Sequence, residues 1–199
     1  LISETETHVL AYIKAELPRL LDHSIGTRDF ALEIYRDQLP DLDPGKVALA
    51  ALCHDLARLI DPSDIVHQLE SRGIDTDSLG FVTPILLHGF LSAEIAREKF
   101  GVEDREILDA IRWHATGRDR MNDLEKLIYV ADKIEPNRDY PGVGDLRMAV
   151  REDFRAGFVK VIGAVIEYVV ARSLPLDYNS VAAWNRALSD FDVRPAGYD

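Results

Sequence analysis

A chain of 199 residues, 47% hydrophobic and 29% charged, has the size and composition of one globular domain, expected to span residues 1–199. Its formal charge of −12 lacks the clustered Lys and Arg excess that a nucleic-acid surface or an acidic membrane requires. A single cysteine, Cys53, rules out an intrachain disulfide, Leu1–Thr7 does not read as a secretory signal, and the apolar stretch Val159–Val170 is too short and too interrupted to span a bilayer, so a cytoplasmic protein is expected.

Helical periodicity runs through nearly the whole chain and strand alternation is absent. The pattern predicts a first helix over about Glu4–Leu21 and a second over His23–Gln38. Asp43-Pro44 combines an N-cap with proline at the first helical position and opens a third helix, expected to run past His54 and Asp55 to Asp61. Asp61-Pro62-Ser63 starts a short helix that ends at Arg72-Gly73, and residues 74–83 read as a loop. Further helices are predicted from Pro84 to Phe100, Glu103 to Ala115 and Asp123 to Glu135. Pro136 and a Pro/Gly-rich loop then precede one long helix over Asp145–Arg172, expected to pack in the core. A last helix covers Ser180–Phe191, and Pro195–Asp199 is expected to fray. These elements, joined by short loops, predict a compact all-α helical bundle.

Four of the six histidines fall on inward stripes of four different helices. His23 shares its face with Thr27, Phe30 and Ile34, and His54 with Val47 and Ala51. His88 lies with Ile85, Ser92 and Ile95, and His114 with Ile107 and Ile111. His8 and His67 stand among polar neighbours. One inward histidine is ordinarily a hydrogen-bonded core residue. Four of them, one with Asp55 beside it, point instead to a metal site, because neutral imidazole and carboxylate both ligate divalent iron, manganese or zinc. Asp132, in the apolar run Leu127–Ile134, is a further carboxylate that needs a cation.

Basic side chains accumulate near these positions. Arg58 follows His54 by about one helical turn, Arg112 and Arg118 bracket His114, and Lys133 and Arg138 flank Asp132. In so acidic a chain this clustering suits a phosphate-binding cleft. Thr116-Gly117 forms a small turn whose backbone N–H groups could approach a phosphate. No Walker loop, dinucleotide fingerprint or Gly-x-Ser-x-Gly elbow is present. Cys53 points about 100° away from its neighbour His54 on a helix and is expected to pack in the core rather than act as a nucleophile.

The ordered set His23, His54-Asp55, His88, His114 and Asp132 resembles the HD-domain metal-dependent phosphohydrolases. The closer resemblance is to their YqeK-like branch, the symmetrical bis(5′-nucleosyl)-tetraphosphatases. It is carried by Cys53–Arg58, Leu86–Gly89, Ile111–Arg118 and Ala131–Arg138. The resemblance implies that His23, His54, Asp55 and Asp132 bind one metal, with Asp55 the natural bridge to a second. His88 and His114 would complete that second metal position or contact a substrate phosphate.

It further implies iron, as one or two ions with manganese or cobalt as substitutes, and hydrolysis of diadenosine tetraphosphate to two ADP by a metal-activated water. Asp55, Arg58 and Lys133 would serve catalysis. His88, His114, Arg58, Thr116, Gly117, Lys133 and Arg138 would hold the substrate. The partner expected is a dinucleoside polyphosphate, with no nucleic acid or membrane, and a homodimer is compatible. Two other readings stand beside this one: an HD-type phosphohydrolase for another nucleotide, and a non-catalytic nucleotide-binding helical module.

Overall fold

The computed structural model describes residues 3–191, so the chain end at Pro195–Asp199 lies outside the described residues. Ten α-helices and three short 3₁₀ turns carry the fold, and no strand occurs among the described residues. The helices are α1 (Glu4–Glu16), α2 (Leu21–Gln38), α3 (Pro44–Cys53), α4 (Pro62–Ser71), α5 (His88–Phe100), α6 (Arg105–Trp113), α7 (Asp123–Ile134), α8 (Val143–Glu152), α9 (Phe154–Ala171) and α10 (Tyr178–Asp190).

The helix starts follow local side-chain chemistry. The Asp43, Asp61 and Asp104 carboxylates accept N–H bonds from the first turns of α3, α4 and α6, and Asn122 with Glu125 forms a capping box on α7. Helix α3 is the hub, packing against α1, α2, α5, α6 and α7. Its sequence explains why: Ala48, Ala50 and Ala51 are all buried, and such small side chains let neighbouring helices approach from several sides. Helix α7 is buried along most of its length, from Leu124 to Ile134, and packs on α2, α3 and α6.

Several expected boundaries move. The first helix stops at Glu16, and Pro18–Leu20 forms a 3₁₀ turn before α2, because a proline inside the helix would remove an amide donor and clash with the preceding turn. Helix α3 ends at Cys53. Residues 54–60 continue as tight turns, with the Arg58 N–H on Asp55 O at 2.9 Å and the Ile60 N–H on Ala57 O at 3.1 Å. The expected long helix over 145–172 is two helices. Asp153 leaves the helical region (φ −153°, ψ 111°) and accepts the Ala156 N–H at 2.9 Å as the N-cap of α9. Helix α9 then packs back on α8. Only its first half is core: Phe154, Phe158, Val161 and Ile162 are buried, while Tyr168 and Val170 are more than half exposed. No helix among the described residues is long and apolar enough to cross a membrane.

Candidate metal centre

Five helices deliver six ligand-type side chains to one place. His23 comes from the first turn of α2. His54 and Asp55 follow the end of α3, and His88 opens α5. His114 follows α6, and Asp132 lies in the last turn of α7. His8 and His67 are exposed.

The four rings form two pairs. His23 Nε2 lies 3.0 Å from His54 Nε2, and His88 Nε2 lies 3.1 Å from His114 Nε2. Asp55 sits between them. Its Oδ2 is 3.7 Å from His23 Nε2 and 3.6 Å from His54 Nε2, and its Oδ1 is 3.2 Å from His88 Nε2 and 3.3 Å from His114 Nε2. Asp132 Oδ1 closes the first pair, 3.2 Å from His23 Nε2 and 3.7 Å from His54 Nε2.

The opposite ring nitrogens settle the tautomers. His54 Nδ1 is 2.7 Å from Ala51 O, His88 Nδ1 2.6 Å from Ile85 O, and His114 Nδ1 2.8 Å from Ile111 O. A carbonyl only accepts, so each Nδ1 carries the proton and donates it, which leaves Nε2 as a lone-pair donor when the ring is neutral. At His54 and His114 this bond also satisfies a carbonyl that the end of the helix would otherwise orphan. His23 Nδ1 faces the buried Glu135 carboxylate at 3.2 Å, with the same consequence.

Two lone pairs 3 Å apart repel unless a cation lies between them. Asp55 Oδ1 tests the same point independently: it is buried and receives no hydrogen bond, an orphan that costs several kcal/mol unless something positive meets it. The donor set therefore fits a metal ion. Two ligand groups, His23–His54–Asp132 and His54–Asp55–His114, each have donor atoms within 4.8 Å of one another. Four imidazoles and two carboxylates with no thiolate suit a divalent first-row metal. Cys53 takes no part, being fully buried with its thiol pushed up by burial.

The electrostatics agree. Burial lowers the His114 pKa to about 4, so its ring is neutral at pH 7. At His54 burial acts in the same direction, but Asp55 and Asp132 outweigh it and raise the pKa. The site thus favours a positive charge beside His54, which a proton or a metal supplies. Burial pushes both aspartates upward, yet positive charge on His54 beside Asp55, and on Lys133 beside Asp132, holds both carboxyls well below the usual range.

The expected phosphate contacts divide. Lys133 Nζ donates to Asp132 Oδ2 at 2.6 Å and to His114 O at 2.8 Å. Arg138 donates to Asp132 Oδ1 at 2.7 Å and to Asp132 O at 2.9 Å. Both cations therefore stand at the rim of the cluster. Arg58 is exposed, but the end of α3 at Cys53 removes the continuous helix face expected to link it to His54.

Thr116 and Gly117 are committed elsewhere. The Gly117 N–H already donates to Trp113 O at 2.8 Å, the Thr116 hydroxyl donates to Gly117 O at 2.9 Å, and a Cβ at Gly117 would meet Ala183 and Met121 at 3.0 Å. A phosphate finds no free donor in that N–H or that hydroxyl. Arg112 pairs with Glu94 and Asp109, and Arg118 with Glu125 and Asp109, so these two arginines brace α5, α6 and α7 instead of facing the cluster.

Two residues at the site escaped the sequence reading. Glu135 sits in Ala131–Arg138, a stretch that carries the family resemblance, and its role appears only in space, where its carboxylate faces His23 Nδ1. Arg147 donates to Ile134 O at 2.7 Å, Glu135 O at 2.8 Å and Arg138 O at 2.5 Å, capping α7 and fixing the turn that carries Arg138. Its partners lie 9 to 13 residues upstream, beyond any local signature.

Comparison with known proteins agrees with this geometry. Residues 20–137 match the HD domain. A Halalkalibacterium halodurans protein named a symmetrical bis(5′-nucleosyl)-tetraphosphatase is 34% identical over 166 residues, 83% of this chain and 87% of its own length. A Bacillus subtilis protein of the same name is 32% identical over 167 residues, 84% of this chain and 88% of its own. A crystal structure from Clostridium acetobutylicum, described as a predicted HD superfamily hydrolase involved in NAD metabolism, matches with a TM-score of 0.83 at 30% identity, covering 92% of this chain and 97% of that one. With a match across more than half its length and the His/His-Asp/Asp constellation assembled in space, the chain belongs to the HD domain family.

Proposed function

We propose that this protein hydrolyses dinucleoside tetraphosphates symmetrically, diadenosine tetraphosphate to two ADP, with iron as its metal and manganese or cobalt as substitutes. The observation that carries the reading is the pair of histidine sets on either side of Asp55, one facing each carboxylate oxygen. The relatives named for this activity align over more than four-fifths of the chain.

His23, His54, Asp55 and Asp132 would hold one ion, and His88 and His114 with Asp55 would hold a second. A bound divalent ion supplies Lewis acidity, lowering the pKa of water toward neutrality and drawing charge from phosphoryl oxygens. The chain's own residues do the rest. Asp55, Asp132 and Glu135 outnumber Lys133 and Arg138 at the cluster, so a tetraphosphate is repelled until metal binds. Lys133 and Arg138, anchored by Asp132, present rigid positive charge to the phosphate chain, and Arg58 adds an exposed guanidinium that a phosphate oxygen can recruit.

Hydrolysis adds water across the central P–O–P linkage. The water oxygen bonds to one inner phosphorus, the bridging oxygen leaves with the other ADP, and the protons are released to solvent. Fixed cations near that leaving oxygen stabilise the charge it gains. Cys53 is fully buried with its thiol pushed up by burial, and direct attack by water requires no nucleophilic side chain.

Product analysis of diadenosine tetraphosphate turned over by iron- or manganese-loaded protein tests the proposal. ADP as sole product supports it. AMP with ATP would mean asymmetric cleavage, and an intact tetraphosphate alongside turnover of another nucleotide would reassign the substrate.

A further inference from the structure

Three of the four cluster histidines donate Nδ1–H to a main-chain carbonyl three residues back. His23 alone faces a carboxylate, Glu135 Oε1 at 3.2 Å. That carboxylate is only 1% exposed. The nearest cation to Oε1, Arg138 Nε, stands 3.9 Å away, outside hydrogen-bond reach. The other oxygen, Oε2, accepts the Asn137 N–H at 2.6 Å. A carboxylate buried this deeply needs a strong partner, and the His23 N–H is the side-chain donor it has.

The backbone of α2 is shaped to admit it. Gly26 lies one turn after His23, and a Cβ there would fall on Glu135 Oε2 and come within 2.7 Å of Asn137 Nδ2. Glycine inside a helix costs about 1 kcal/mol relative to alanine, so its presence here needs a reason, and the Glu135 carboxylate supplies one. Asn137 Nδ2 donates to Asp22 O at 3.0 Å, tying the turn after α7 to the residue before His23.

We infer that Glu135 is a positioning residue for the metal centre: it fixes the His23 tautomer and ring orientation and enriches Nε2 as a ligand, and Gly26 is the opening that lets it reach. A carboxylate behind a ligating imidazole typically raises metal affinity 10–100-fold. The inference rests on the reading of the cluster as a metal site.

Manganese binding to metal-stripped protein, followed by the loss of free Mn²⁺ EPR signal, tests it without turnover. Glu135→Gln and Gly26→Ala are each expected to weaken Mn²⁺ about 10–100-fold. In a His23→Ala background, Glu135→Gln is expected to add no further loss, because it acts through that ring. Thermal melting of the stripped proteins separates a structural effect: a lower melting temperature with unchanged Mn²⁺ affinity overturns the inference. If Glu135→Gln fails to fold, Gly26→Ala carries the test, and wild-type affinity there overturns it. Wild-type protein that takes up no Mn²⁺ would bring down the metal reading itself, and this inference with it.

Discussion

Asp55 Oδ1 faces two ring nitrogens and receives no proton from either, and each histidine turns its protonated nitrogen away from the cluster. Such arrangements make pH predictions with a definite sign. Burial lowers the His114 pKa from 6.5 to about 4 in the fold. The unfolded chain therefore binds a proton more readily between these values. The stability that neutral His114 contributes is fully present above about pH 6.5 and is lost as pH falls toward 4. The shift corresponds to about 3 kcal/mol. Urea unfolding of metal-stripped wild type and His114→Gln should show a gap at pH 7 that narrows by pH 4.5.

Arg58 makes the opposite kind of prediction. Its side chain is exposed, so truncation to alanine should leave melting temperature and metal content unchanged. It should raise KM for diadenosine tetraphosphate about tenfold, or 1.4 kcal/mol, in steady-state assays.

At the level of elements, close helix contacts set the distances between ligands. A Cβ at Gly89 would come within 2.5 Å of Arg112 O and 2.9 Å of Ile111 O, so the glycine lets α5 lie directly on the end of α6, where His88 meets His114. Gly89→Ala has backbone on the other side and nothing flexible to displace. It should cost about 1–3 kcal/mol in denaturant unfolding and weaken metal binding by separating the two rings. Asp153→Ala removes the cap of α9 and should cost about 1 kcal/mol, with metal binding unchanged.

These contacts also show what the sequence could reveal. The inward faces of His23, His54, His88 and His114 were readable because helical period and proline starts are local. The break at Asp153 carried a faint local signal: an N-cap residue interrupting an apolar pattern after Arg151 and Glu152. The end of α3 carried less, because it coincides with the bond from the His54 ring to Ala51 O. Glu135 and Gly26 were unreadable in their pairing, since they lie on different helix ends and meet only once α2 packs against α7. Thr116-Gly117 misled for a related reason: a turn that could cradle an anion is, in the fold, already hydrogen-bonded to itself and packed on α10.

Over the whole molecule, charge and connectivity combine. The chain carries −12, yet its proposed substrate is a polyanion, so a divalent metal held by the cluster would supply the positive charge that offsets the carboxylates and attracts the phosphates. The proposed ligands come from five helices that share one core, so a bound metal would staple those helices together. Free metal at a hundredfold excess over its Kd should add about 2.7 kcal/mol to stability, seen as a higher melting temperature that chelator reverses. The apolar core is built from residues other than the six at the cluster, so the chelated protein should stay folded.

Asp55 is the side chain that reaches both histidine pairs, and its removal is the most direct test of the account. Equilibrium dialysis against manganese or ferrous iron, with metal analysis of wild type and Asp55→Ala, should show metal held by the wild type and largely lost from a variant that still melts cooperatively. A folded Asp55→Ala that holds as much metal as the wild type would contradict the account.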